Sequence, residues 1–452
     1  MTNSFPHYRR RSLFGPLLVV AIGVIILLAN IGYISRPGLF HWFSRYWPVV
    51  LIVWGVTKFI EYTIAKNRNE PYPGIGAGGV VFVVFLVMFG MAATGVSRVD
   101  WGWVDIDPGD DFGDWGVFGN RYEFTQNFAT PMPAGTQVRV LSTRGDITIT
   151  PSPDNEAHAF IHKFMRGHSQ DEANQFNNAT QAKFEQQGSV WVLDMTGGSF
   201  RPGRFNMELQ LPPKYAVSLV DNRGDVRISQ IQSDIEVETS HGDITAEQIK
   251  GNALLRAHHG DVSAKSVNGN LNVDGDVGDS TVSDVGGTLT FTGSYSGDIQ
   301  LSRIGGEVRF TSIRTDLQLA KLDGDLSMDR GDLKGSSITG PFTVRTETKD
   351  ISLENITGDI HIQDRRGDIE IVTKAPVGNM DIITTGGEIN VHLPEQAGFQ
   401  VDAESNGGEI QSDFGLNINN QRGNATATGT VGKGGPVVKL KTSRGTIQIH
   451  KQ

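Results

Sequence analysis

The chain has 452 residues, a net charge of −10 and no cysteine. It is long enough for two or three domains, and disulfides, thiolate metal sites and cysteine nucleophiles are excluded. Residues 1–73 hold eight Lys or Arg against Glu61 and Glu70, a balance of +6 that leaves −16 on the remainder, so the large acidic part disfavours a nucleic-acid partner.

In chain order, the first element is the uncharged stretch LFGPLLVVAIGVIILLANIGYI at 13–34, long enough for a bilayer core of roughly 30 Å. It is too long for a signal peptide and lacks a small-x-small cleavage site. Two further spans follow at about 47–65 and 74–96, with Lys58 and Glu61 near the end of the second. Arg9, Arg10, Arg11, Lys66 and Arg68 fall on one side of these spans and Arg36 and Arg45 on the other. The positive-inside rule then predicts a cytoplasmic N-terminus, a multi-pass protein of the cytoplasmic (inner) membrane, and everything after Val96 outside the cytoplasm. Gly74, Gly76 and Gly79 satisfy G-x-G-x-x-G, but they open an apolar span rather than follow a strand, so close helix packing explains them better than a nucleotide.

The region 1–96 resembles the LiaI/LiaF-type transmembrane domain of bacterial envelope proteins, through its short basic start, LFGPLLVVAIGVIILLANIG, and the YWPVVLIVWGV opening of the second span. The resemblance implies an association with cell-envelope stress signalling.

Residues 97–120 form an acidic, Trp-rich linker. Trp101 and Trp103 are placed for the membrane interface. Asp105, Asp107, Asp110 and Asp111 offer hard oxygen ligands for calcium. They lack the loop length and closing Glu of an EF-hand, so a solvated linker accounts for them and no metal is expected.

Residues 121–216 read as strands plus one helix. QVRVLSTRGDITITP alternates Val138, Val140, Ile147 and Ile149 in strand period. Ser169 followed three residues later by Glu172 marks a capping box ahead of DEANQFNNATQAKFEQQ. Ala173, Phe176, Ala179 and Phe184 would form that helix's apolar face, capping a stack of strands.

From 217 to 399 a unit of 18 residues recurs: VSLVDNRGDVRISQIQSD, IEVETSHGDITAEQIKGN, ALLRAHHGDVSAKSVNGN and onward. Each holds two short alternating strands and two turns. One such unit cannot bury its own apolar face, so the period predicts a β-solenoid with about 18 residues and two strands per coil. The predicted structural turns are Gly145–Asp146, Gly224–Asp225, Gly242–Asp243, Gly260–Asp261, Gly297–Asp298, Gly324–Asp325, Gly358–Asp359 and Gly367–Asp368. Ile235, Val237, Ile244, Ala246 and Ile249 are expected inside, Glu236, Glu238 and Thr245 outside. Residues 400–452 read as a C-terminal cap.

From 122 to 452 the order resembles a bacterial adhesin-like β-solenoid domain family of unknown function. TRGDI, the helical insertion, LPPKYAVSLV and the repeated G-[DE]-[IVL] turns carry the likeness. It implies a candidate adhesin or envelope-surface module attached to a membrane, and brings no catalytic residues.

Four constellations are explained by the repeat itself. The Asp column (Asp225, Asp243, Asp261, Asp298, Asp316, Asp350, Asp368) has one glycine per half-coil, unlike calcium-binding nonapeptides, and Asp suits turns. Arg-Gly-Asp at Arg144, Arg223, Arg330 and Arg366 follows from the Gly-Asp the turns require. His241 and His259, 18 apart with His258 beside them, should stack as surface histidines. The pair Asp364 and Asp368 lies in no apolar cleft. No catalytic residue and no cofactor are expected. The expected partners are the lipid bilayer and a membrane protein or cell-envelope component, with oligomeric state open. The leading expectation is a membrane-anchored extracytoplasmic solenoid acting in adhesion, envelope structure or sensing, with no catalytic activity. The alternatives are a regulatory membrane subunit of an envelope-stress sensor system and an end-to-end polymerising bactofilin-like scaffold.

Overall fold

The computed structural model describes residues 120–133, 137–167, 169–196, 203–421 and 423–452, with single residues between 48 and 88. It divides into two units, 1–122 with 166–173, and 123–165 with 174–452. In the first unit, the described residues from Pro48 to Lys66 and from Val83 to Met88 are helical. Thr63 Oγ1 donates to the Phe59 carbonyl one turn back at 2.9 Å, so its hydroxyl is satisfied within the helix. Among the described residues no helix is long and apolar enough to cross a membrane. The expected span 13–34, Trp101, Trp103 and the acidic residues Asp105, Asp107, Asp110 and Asp111 lie outside the described residues.

The second unit is mainly β, because its sequence alternates apolar and polar residues with a glycine at each reversal. Strands stack in two sheets at the repeat period. In the first sheet Val138, Val217, Ile235, Ala253, Leu271, Leu289 and Val308 occupy one register position on successive parallel strands. In the second, Ile147, Val226, Ile244, Val262, Ser280 and Ile299 do the same. The residues expected inside are buried, and the two sheets enclose one continuous core from Met132 to Ile449 that includes the ring stack of Phe291 on Phe310, 4.6 Å between centroids. Inner strands pair with a neighbour on each side, and their inward apolar side chains pack between the two sheets.

The parallel repeat breaks at Thr315–Met328, a reversal that the 18-residue period did not anticipate. This strand runs antiparallel to both Val308–Thr311 and Ile299–Ile304. A tight turn causes the reversal: Ser312 Oγ accepts from the Thr315 amide at 3.1 Å and the Ser312 amide donates to the Thr315 carbonyl. Gly324–Asp325 and Gly358–Asp359 both lie within continuous strands, Thr315–Met328 and Asp350–Gln363, and Asp316 pairs across the sheet with Thr311 and Arg345. Parallel stacking resumes through Asp350–Gln363 and Ile369–Thr384.

The end of the chain is threaded inward. Val437–Thr442 sits between Ile369–Thr384 and Phe399–Ser405, and Ile447–Lys451 between Ile389–Leu393 and Ile410–Ser412. The outermost elements there are Ile410–Ser412 and the antiparallel pair Asn417–Gln421 and Asn424–Val431. The Asn420 side chain bonds both the amide and the carbonyl of Ile410, each at 3.2 Å, which blunts that sheet edge.

The inserted helix is Gln170–Ala179, its first turn capped by Ser169 Oγ, which accepts from the Glu172 amide at 3.2 Å. It is shorter than the pattern suggested. Thr180 Oγ1 donates back to the Phe176 carbonyl, and buried Lys163 Nζ donates to the Thr180 carbonyl at 2.6 Å. Phe184 therefore belongs to the strand Phe184–Gln187, opposite Leu193, and not to the helix face.

Candidate ligand-facing surfaces

The Gly-Asp corners form a hydrogen-bonded ladder. Each Asp Oδ1 accepts the backbone amide of its counterpart one coil on: Asp146 from Asp225, Asp225 from Asp243, Asp243 from Asp261, Asp261 from Asp279, and Asp279 from Asp298, at 2.8–3.3 Å. A second run takes Asp350 to Asp368 to Glu388, and Asp359 Oδ1 accepts from Asn379. Gly224, Gly242 and Gly260 hold φ of +148°, +136° and +148°, and a Cβ at Gly242 would enter the Gly224 carbonyl. Gly145 and Gly358 also have positive φ. Gly297 and Gly367 are hemmed in by Asp279 and by the Lys349 carbonyl. Because one carboxylate oxygen of Asp146, Asp225 and Asp368 is already engaged, these Arg-Gly-Asp tripeptides are corner chemistry.

The opposite corner carries a device that no residue type announced. Gln230, Gln248, Ser266, Asp284 and Arg303 take left-handed φ of 51° to 59°, one per coil. Each turns the following apolar residue (Ile231, Ile249, Val267, Val285, Ile304) into the core. A non-glycine residue in this region costs energy, and the repeated coil imposes it. Arg303 pairs bidentately with Asp284, at 2.6 and 2.9 Å.

Two buried carboxyls occupy the inner corner. Asp221 lies in register between Ser142 and Thr239. Burial pushes its pKa up to about 6, against the nearby Ser142 hydroxyl and the Arg223 and Asn222 amides, which pull it down. Neither of its oxygens makes a hydrogen bond of good geometry. Asp364 is also raised by burial, but its Oδ2 accepts from the Arg366 and Gly367 amides. Asp364 thus serves the turn that presents Asp368. Near the start of the stack, Asp154, Glu156 and His158 bring donor atoms within 4.8 Å. The Asp154 oxygens there already take Ser152 Oγ, the Glu156 amide and His158, and the Ser152 hydroxyl leads in drawing the carboxyl down to about 2.

The outward faces carry open grooves of mixed polar and apolar lining. On the first sheet a groove of about 810 Å³ crosses the early coils, lined by Glu236, Leu254, Asn270, Asn272, Thr290 and Arg309 among others. On the second sheet a groove of about 420 Å³ crosses the antiparallel insertion, lined by Thr281, Gln300, Ser302, Ser327, Lys334 and Ser352 among others. Neither raised carboxyl lines either groove. His241 and His259 stack in parallel on adjacent coils, centroids 5.0 Å apart.

Comparison with known proteins places these features in a family. The family model described as Toastrack DUF4097 matches residues 135–450, and the LiaF transmembrane domain matches residues 14–105. No curated protein matches the chain. Three crystal structures are similar at 11% identity. One, a candidate cell adhesion protein from Clostridium sporogenes, covers 74% of this chain and 100% of its own, with a TM-score of 0.19. Candidate adhesins from Bacteroides fragilis and Parabacteroides distasonis each cover 60% of this chain and 96% and 97% of their own, with TM-scores of 0.23 and 0.26. At these TM-scores the structural likeness carries no argument.

Proposed function

The chain belongs to the Toastrack DUF4097 family and carries a LiaF transmembrane domain ahead of it, and from that premise we propose a cell-envelope protein that displays its solenoid outside the cytoplasm. In this reading three helices at 13–34, 47–65 and 74–96 cross the cytoplasmic membrane as a bundle, and the solenoid works by contact, as an adhesin or envelope sensor, without catalysis. The observation that carries it is one chain joining a membrane domain at 14–105 to a two-sheet stack with open grooves of mixed polar and apolar lining. Such a stack offers side chains along its faces, and the grooves on them are open rather than enclosed. Protease added to intact cells or spheroplasts tests it. The solenoid should be removed without lysis, and full protection would refute the placement.

The match of residues 14–105 to the LiaF transmembrane domain favours a second reading, a regulatory subunit whose helices engage a sensor kinase. Cross-linkers placed in the spans should then recover a membrane partner, and recovery of lipid alone would dismiss it. The polymerising scaffold fits less well, because Asn420 covers the edge of Ile410–Ser412 that end-to-end growth would use.

A further inference from the structure

On the outward face of the second sheet, register sets the strands Ile369–Thr384, Ile389–Leu393, Ile447–Lys451 and Ile410–Ser412 side by side. His392 pairs with His450, and their imidazoles face each other with centroids 5.0 Å apart and planes 27° from parallel. Glu370 Oε1 stands 3.9 Å from His392 Nε2. Beyond the other ring, Asp413 Oδ2 stands 3.2 Å from His450 Nδ1. In the adjoining outward row Asn390 lies in register between Glu370 and Gln448. Its Oδ1 is buried and without a hydrogen-bond partner, while Gln448 Oε1 is 3.1 Å from His450 Nε2. Both Nε2 atoms therefore face oxygen donors of one row.

We infer that His392, His450 and Glu370 bind a divalent transition-metal ion, with an amide oxygen from Asn390 or Gln448 as a further ligand and Asp413 orienting His450. Two imidazoles and a carboxylate suit zinc, nickel or copper better than calcium, which prefers oxygen alone. A carboxylate on the far nitrogen is the usual way a metal-ligating histidine is held in one tautomer. Neighbouring strands hold the Cα atoms about 4.8 Å apart; the ligand atoms do not yet all lie within 4.8 Å of one another, so binding would draw the side chains together by rotation. The ring and carboxylate side chains are 32–56% exposed, which gives solvent access. His241 and His259 stack at the same 5.0 Å but have no such flanking carboxylates among the described residues, and so serve as a control. The ligands come from three separate stretches of chain and meet only because Ile447–Lys451 is threaded next to Ile389–Leu393. Bound metal would tie the last strand to the repeats.

The test uses the full chain in detergent micelles, purified without a polyhistidine tag and stripped with a chelator. It is titrated with zinc chloride by calorimetry and with cobalt chloride by visible absorption. The wild type should take up about one equivalent, with the cobalt spectrum of nitrogen and oxygen ligation. His392→Ala and His450→Ala should each weaken binding by on the order of 100-fold, and Asp413→Asn by about 10-fold, the effect of losing an orienting partner. The His241→Ala/His259→Ala double variant should bind as the wild type. Circular dichroism without metal checks that each variant folds, and Glu370→Gln supplies a second ligand probe should His450→Ala not fold. No uptake by the wild type, unchanged affinity in His392→Ala and Glu370→Gln, or loss of binding in the double variant would overturn the assignment.

Discussion

Replacing Asp221 by asparagine should stabilise the protein at neutral pH and leave it nearly unchanged in acid. The carboxyl is buried on the inner corner with a pKa near 6, against 3.8 for a free aspartate. Between those values the folded chain keeps a proton that the unfolded chain has lost, so stability falls as pH rises through the window. Above pH 6 both states are ionised and the folded state carries the full cost of a buried charge. Taking roughly 1.4 kcal/mol per pH unit, that cost is about 3 kcal/mol, net of the Ser142, Arg223 and Asn222 contacts that favour the charged form. Asparagine keeps one acceptor and removes the charge. Denaturant titration of the full chain in micelles, followed by β-sheet circular dichroism at pH 4 and pH 7, reads the difference. The variant should gain up to about 3 kcal/mol at pH 7 and little at pH 4. Asp364→Asn should gain less, since Asp364 Oδ2 accepts two backbone amides that favour the charged form. Asp221→Asn that is less stable than the wild type at pH 7, or that keeps the wild-type pH dependence, would refute the reasoning.

Lys163 is buried with its pKa lowered by burial to about 8, from 10.5, so the folded chain sheds a proton the unfolded chain still holds. Stability should rise from pH 8 to pH 10 in the wild type and lose that rise in Lys163→Met, as read by denaturation midpoints. Gly242→Ala would combine a φ of +136° with a clash on the Gly224 carbonyl. It should cost at least about 3 kcal/mol, whereas Ser263→Ala on the outward face should stay within about 0.5 kcal/mol. Deleting residues 436–452 would remove strands that sit between others in both sheets. Limited proteolysis should then cut throughout 389–435, and survival of that segment would show that the final pair is a dispensable addition.

The 18-residue period and the alternation within it made the stack legible, because each strand repeats the same inward positions. Glycine before aspartate likewise marked corners where a Cβ has no room. The departures arose where geometry depends on distant chain. Nothing between Val308 and Met328 distinguishes a reversed strand from another repeat unit except the Ser312–Thr315 turn. The left-handed residues at Gln248, Ser266, Asp284 and Arg303 share no residue type, since the coil and not the side chain dictates their backbone. Phe184 fits a helical stripe in the sequence, but the helix stops at the Lys163 and Thr180 contacts. The cluster of Glu370, His392, Asp413 and His450 spans 80 residues, and only the threading of the last strands brings it together.

The central claim is that the solenoid stands outside a membrane crossed by the N-terminal segment. Because the chain has no cysteine, Ser263→Cys and Ser4→Cys give single reporters on the outward solenoid face and at the N-terminus. A membrane-impermeant maleimide applied to spheroplasts should label Ser263→Cys before lysis and Ser4→Cys only after it. Labelling in the opposite order, or protection of Ser263→Cys until lysis, would contradict the account.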